Sequence, residues 1–289
     1  MDVSDAFPED ALADVAFLSR SKNRAQILAM LAAESYTRRE LEDTTGISRT
    51  TLDRIVNELE ERDWATRTSD GDYVATPTGE RIATESSCFV GAIQAIRNLA
   101  DAVAWLPRNE LTIGLHQFRE AIVRRPEPNA MSAPTTAATK LMQEATEFAC
   151  LMNTLPSLAF EESMINGVLE GRLMTKHVIT DEELTVLLED TNRTGRWQEY
   201  IEAGANLYCY DGQIPCNLLV IDETVLILDR QPEAPEGIES TNPEVRAWAT
   251  EMIDEYRKEA KQLDATAFTK DREAQQTKRS VEPFSVSVC

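Results

Sequence analysis

The sequence predicts a chain of the α+β or α/β class in two parts, an N-terminal winged helix-turn-helix and a larger α/β unit of sensor type. Three observations predict it. Three capped helical segments run into a short β-prone pair within residues 20–85, a long helical stretch follows, and beyond Pro107 strand-like and helical segments alternate. The length of 289 residues also exceeds one typical domain.

Residues 1–19 read as a lead-in in which Asp10 to Leu18 forms a short helix. Ser21 is placed to cap a first helix over NRAQILAMLAAE, with Ile27, Leu28 and Leu31 at helical spacing. In the next segment Thr37 precedes Glu40 by three positions, the spacing of a reciprocal capping box, and Gly46 provides a left-handed stop. Ser48 then caps a third helix whose stripe Leu52, Ile55, Val56 and Leu59 faces the core. After Trp64, ATRTSDGDYVATPTG reads as two short strands turned at Asp70-Gly71.

A helix from about Gly79 to Leu106 follows, its residues 86–106 serving as connector or dimer helix. The α/β effector or assembly domain spans 107–264. Its expected strands are ELTIGL at 110–115, ACLMNTLP at 149–156, GRLMTKHVI at 171–179, NLYCY at 206–210, CNLLVID at 216–222 and TVLILD at 224–229. Its expected helices are LMQEATEF, DEELTVLLED, GRWQEYIEAG and a final amphipathic one opened by Asn242-Pro243. The tail, 265–289, is expected to be disordered.

Fifty acids stand against 29 Lys and Arg, a formal charge of −21. An acidic surface poor in lysine stays hydrated in concentrated salt, which fits a haloarchaeal cytoplasm, the alternative being an ordinary acidic bacterial protein. Within residues 20–85 ten cations face thirteen acids, so most of the excess lies elsewhere and nucleic-acid binding is not excluded. Five scattered cysteines, no signal-type apolar N-terminus and no bilayer-length apolar run place the chain in a reducing cytoplasm without a membrane partner. With His116 and His177 the only histidines, no ligand set has zinc-site spacing; neither a metal nor a cofactor is expected.

In a helix-turn-helix the third helix enters the major groove, so Ser48, Arg49, Thr50 and Thr51 on its first turn meet base edges, with Arg54 one turn on. Arg49 carries the planar fork that pairs with guanine, and the short hydroxyls suit phosphates or a thymine methyl. Arg38 and Arg39 open the second helix and are expected on phosphates, and Arg67 on the wing in a flanking minor groove. The bland reading of each arginine is a solvated surface ion pair.

On these residues, from RAQILAMLA through TRRELEDTTGISRTTLDRIVNELEERDWATR to the wing, the chain resembles archaeal winged-helix regulators. With the α/β part and its closing NPEVRAWATEMIDEYRKEAKQL, the whole is similar to haloarchaeal members of the FilR-type methanogenesis-regulator family, TrmB-like in layout. The resemblance implies a homodimeric transcription factor on a double-stranded operator, with a sensing or assembly domain and no enzymatic activity. A TrmB-like effector part is similar to a phospholipase-D half, whose signature needs His and Lys two positions apart. Neither His116-Gln-Phe nor His177-Val-Ile supplies the lysine.

Lys176 and His177 at a strand end, with the aromatics Trp197, Tyr208 and Tyr210, are candidates for a small-molecule effector pocket, set against ordinary core packing. Cys209 and Cys216 flank a turn and would face each other in a hairpin as a redox pair, set against buried free thiols. The competing functional class is a protein-interaction adaptor whose winged helix binds a protein rather than an operator.

Overall fold

The computed structural model describes residues 8–125, 133–228 and 236–268. The chain divides into two compact units, Met1–Ile93 and Gln94–Cys289.

The first unit is built from α1 (Glu9–Ser19), α2 (Lys22–Ala33), α3 (Arg38–Thr45), α4 (Arg49–Glu60), a hairpin of β1 (Ala65–Arg67) and β2 (Tyr73–Ala75), and most of α5 (Pro77–Leu99). Its helix ends follow the local chemistry. The Thr37 amide donates to Glu40 Oε2 at 2.8 Å while the Glu40 amide donates to Thr37 Oγ1 at 3.2 Å, so two orphan donors of α3 are satisfied reciprocally. Gly46 stops the helix at φ 67°, a conformation that a Cβ disfavours.

Ile27, Leu28, Leu31, Leu41, Leu52, Ile55, Val56 and Leu59 close the core with Trp64 and Tyr73. The lead-in joins them: Phe17 and Leu18 of α1 are buried, and the Arg62 guanidinium lies over the Phe17 ring at 3.7 Å. At the start of α5 the backbone of Trp64 passes so close that a Cβ on Gly79 would meet its carbonyl oxygen at 1.8 Å.

The long helix is shorter than its periodicity predicts. α5 ends at Leu99; Ala100 adopts φ 49° and the chain continues as a 3-10 turn over Ala100–Trp105, which brings Leu99, Ala102 and Leu106 into the second unit's core. Local burial overrides the continuous helical pattern there.

A second 3-10 turn, Leu115–Phe118, leads into β3 (Ile122–Arg124), α6 (Ala133–Glu144), β4 (Glu147–Met152), α7 (Leu158–Leu169), β5 (Met174–Thr180), α8 (Asp181–Glu189) and α9 (Thr191–Glu202). Then come β6 (Asn206–Tyr210), β7 (Asn217–Ile221), β8 (Thr224–Leu228), β9 (Gly237–Ser240), α10 (Pro243–Glu259), β10 (Lys261–Gln262) and a 3-10 turn at Ala265–Phe268. Eight strands form one sheet in the order β10-β6-β5-β4-β7-β8-β9-β3. β4, β5 and β6 are parallel, linked by the helical crossovers this requires, and the remaining pairings are antiparallel.

Both faces of the sheet are covered. In β7, Leu219 and Ile221 enter the core shared with α6, α7, α8 and α9, whereas Leu218 and Val220 enter the core shared with α10. That alternation is why the central strands read as unbroken apolar runs.

Three expectations are corrected. Residues 110–115 form no strand, because Leu111 and Ile113 pack against the second core from an irregular segment. The helix expected at 141–148 lies earlier, at Ala133–Glu144, and Glu147 and Phe148 open β4. The tail does not begin at 265: Phe268 is fully buried, anchoring the chain against the α9 side of the sheet. Residues 269–289 of the expected tail lie outside the described residues.

Candidate nucleic-acid interface

α4 presents its apolar stripe to the core and leaves Arg49, Thr50 and Arg54 exposed, with Thr51 half-buried. Ser48 sits at the N-cap, yet its hydroxyl donates to Thr51 Oγ1 at 3.1 Å instead of accepting from the backbone. The first-turn N–H groups of α4 therefore carry no side-chain cap.

The arginines named from the sequence divide into two kinds. Arg39 pairs with Asp43 at 3.7 Å, Arg54 with Glu58 at 3.6 Å, Arg67 with Glu60 at 3.4 Å, and Arg38 with Asp53 at 2.8 Å. The first three pairs are exposed or partly so, and contacts of that kind exchange readily with solvent ions. Arg49 differs: it has no carboxylate partner among the described residues. Arg38 differs in another way, being wedged between elements; besides Asp53 on α4 it donates to Tyr73 Oη on β2 at 3.3 Å. Sequence reasoning missed Asp53 and Tyr73, since neither lies near Arg38 along the chain.

The five residues grouped as an effector pocket do not come together. Lys176 and His177 are neighbours on β5 and so point to opposite faces of the sheet. Lys176 is on the α10 face, its Nζ 2.7 Å from Asp254 Oδ1. Although burial opposes it, the hydrogen bonds from Lys176 and Arg257 hold the Asp254 carboxyl below its ordinary range. Tyr208 and Tyr210 pack on that same face, Tyr210 edge-on to Tyr256 at 5.0 Å between ring centroids.

His177 and Trp197 are on the other face, fully buried, their rings 5.0 Å apart, with Phe148 5.8 Å from His177. Neither His177 ring nitrogen nor Trp197 Nε1 has a hydrogen-bond partner among the described residues. Burial lowers the His177 pKa to about 3, so the imidazole is neutral at any ordinary pH. A groove of about 830 Å³ runs between α10 and the start of β4 and β5; Lys176 lines it with Arg246, Asp254 and Lys258, and the other four candidates do not.

Cys209 and Cys216 do not form a hairpin pair. β6 and β7 are separated in the sheet by β5 and β4, about 14 Å at ordinary strand spacing, and neither cysteine is in a disulfide. The turn between them is a crossing over the sheet rather than a hairpin.

Residues 12–98 match the family model described as the HVO_A0261 N-terminal domain, and residues 131–259 match the middle domain of the methanogenesis regulatory protein FilR1. The α/β unit thus matches a FilR1-type middle domain and the winged helix an HVO_A0261-type N-terminal domain, a combination that supports a transcriptional regulator. Together the two models span well over half of the sequence.

No curated protein matches this chain significantly. Among solved structures it is similar to TrmBL2, an archaeal chromatin protein, at 16% identity and a TM-score of 0.41 over 89% of this chain and 100% of that one. It is also similar to the phospholipase D family member Nuc from Salmonella typhimurium, at 12% identity and a TM-score of 0.41 over 50% of this chain and 97% of that one. NucT from Helicobacter pylori gives 9% identity and a TM-score of 0.37, over 50% and 98%. No helix among the described residues is long and apolar enough to cross a membrane.

Proposed function

We propose that this regulator is a homodimer that binds a specific double-stranded operator through α4 and changes its affinity when the α/β unit senses a signal. The observation that carries the reading is Arg49. It stands exposed on the first turn of the recognition helix, beside Thr50, with no carboxylate partner among the described residues, so its guanidinium can take the bidentate edge of a guanine. Ser48 and Thr51 supply short hydroxyls beside it. Arg39, Arg54 and Arg67 reach phosphates by leaving weak surface pairs.

α5 supports the dimer: Phe89, Val90, Ile93 and Ile96 are 38–59% exposed and recur along one side of the helix, a surface that a second α5 would cover. Two copies would present their recognition helices about one turn of DNA apart, on a pseudo-palindromic site. An effector acts by binding unequally to two arrangements of the protein; Lys176, which lines the α10 groove, is its proposed contact.

The same reading assigns the chain no catalysis. The position two after His177 is Ile179, itself buried, where a phospholipase-D half would need lysine. A cytoplasm of high ionic strength accounts for the acidic surface.

Chromatin immunoprecipitation of the tagged protein, beside Arg49→Glu, tests the reading. Discrete promoter peaks with a shared motif that disappear in the variant are expected. Absence of enrichment with wild type, together with capture of a protein partner through the winged helix, would favour the adaptor.

A further inference from the structure

We propose that Arg38 is a positioning residue of the winged helix, a strut that sets the recognition helix against the wing, and not a phosphate contact. The proposal rests on the DNA-binding reading above.

One guanidinium joins three elements. Arg38 is the first residue of α3; its Nη2 lies 2.8 Å from Asp53 Oδ1 on α4 and donates to Tyr73 Oη on β2 at 3.3 Å. Each partner is itself held. Tyr73 is buried, exchanges backbone hydrogen bonds with Tyr36 at 2.8 and 2.9 Å, and lies beneath the Arg67 guanidinium at 4.8 Å. Asp53 follows Leu52, a fully buried residue of the α4 stripe, so its backbone is fixed by the core. The side chains of Arg38 and Asp53 are each about one-third exposed, against 90% for Arg39. Two arginines adjacent in sequence therefore have different roles: Arg39 projects into solvent, and Arg38 is turned inward across α4 and the wing.

The chemistry requires arginine. Both contacts are made by one nitrogen, Nη2, whose N–H directions are fixed by the planar, rigid guanidinium, whereas an ammonium on a flexible stem is a rotating point charge. A recognition helix that rocks relative to its wing loses register with base edges but keeps its attraction to the DNA backbone. Loss of the strut should thus reduce discrimination and leave nonspecific affinity in place.

The test uses full-length protein, a duplex enriched by wild type from a random-sequence pool, and a scrambled duplex, with anisotropy titrations at several KCl concentrations. Arg38→Lys is expected to weaken binding to the enriched duplex at least tenfold, leaving the scrambled duplex within twofold and the salt dependence unchanged. Asp53→Asn should do the same, and Tyr73→Phe should act in the same direction with smaller effect.

If Arg38 instead touches phosphate, Arg38→Lys retains binding, Arg38→Gln weakens both duplexes alike, and Asp53→Asn strengthens binding by removing a negative charge. Any of these outcomes overturns the strut. Amide exchange in the free protein separates this failure from failure of the DNA reading. The strut predicts faster exchange at the Tyr36 and Tyr73 amides in Arg38→Lys whether or not any duplex is enriched, and unchanged exchange there would refute it.

Discussion

Replacing His177 by leucine should remove a specific part of the protein's acid sensitivity. The imidazole is fully buried among Phe148 and Trp197, with neither nitrogen hydrogen-bonded among the described residues, and its pKa falls from 6.5 to about 3. In the unfolded chain the same group titrates normally. Between those values the unfolded state binds more protons than the folded state, so stability rises with pH. The contribution is fully present above pH 6.5 and is lost progressively as pH falls towards 3. Between pH 7 and pH 5 the loss is about 2 kcal/mol, from roughly 1.4 kcal/mol per pH unit below the unfolded value.

Leucine has nearly the volume of histidine and no polar atom, so His177→Leu should be neutral to stabilising at pH 7. Urea unfolding of the α/β unit, followed by near-ultraviolet circular dichroism at fixed KCl, measures both proteins at pH 7 and pH 5. Carboxylates contribute equally to both, so the difference isolates residue 177. Wild type should lose about 2 kcal/mol more than the variant over that interval. An equal loss in the two proteins would refute the reasoning and show that the imidazole finds a partner or solvent in the folded state.

Three further outcomes are expected. Gly79→Ala drives a Cβ to 1.8 Å from the Trp64 carbonyl and should destabilise the winged helix by about 2–3 kcal/mol, read as a lowered midpoint of its thermal transition. Arg193→Met strands Glu161, which is 1% exposed and bound by Arg193, and should cost about 3–5 kcal/mol; Arg193→Met with Glu161→Leu should recover much of it, in a double-mutant cycle by denaturant unfolding. Phe89→Glu with Ile93→Lys on the exposed side of α5 should convert a dimer to a monomer in sedimentation equilibrium without lowering helicity, and an unchanged mass would remove α5 from the interface.

The winged helix was legible because its signals are local. The Thr37–Glu40 box, Gly46 and the apolar stripe of α4 each act within a few residues, and the structure has all three where the sequence places them. The α/β unit was legible as strands and helices but not as a topology. Nothing near residues 206–221 tells that two strands lie between β6 and β7, because the parallel pairings of β5 are decided by helices that pack elsewhere. Misreading that connection produced the Cys209–Cys216 pair. The effector cluster failed for a simpler reason: Lys176 and His177 were grouped by adjacency, and in a strand adjacency means opposite faces. At the level of sequence Arg38 shows only its helix terminus, whereas its contacts are with Asp53 and with Tyr73, 35 residues away.

The carboxylates beside Arg39, Arg54 and Arg67 change what DNA binding does to the surrounding electrolyte. An unpaired arginine that meets a phosphate expels a condensed cation from the duplex, and that gain in ion entropy is what concentrated salt abolishes. Here each such arginine first leaves a carboxylate, which must then collect a cation of its own. Release and recapture largely cancel, so the complex should have a shallow dependence on salt, with Arg49 the principal residue contributing net expulsion. A protein surrounded by concentrated electrolyte could thereby hold DNA under conditions that strip a conventionally basic surface from it.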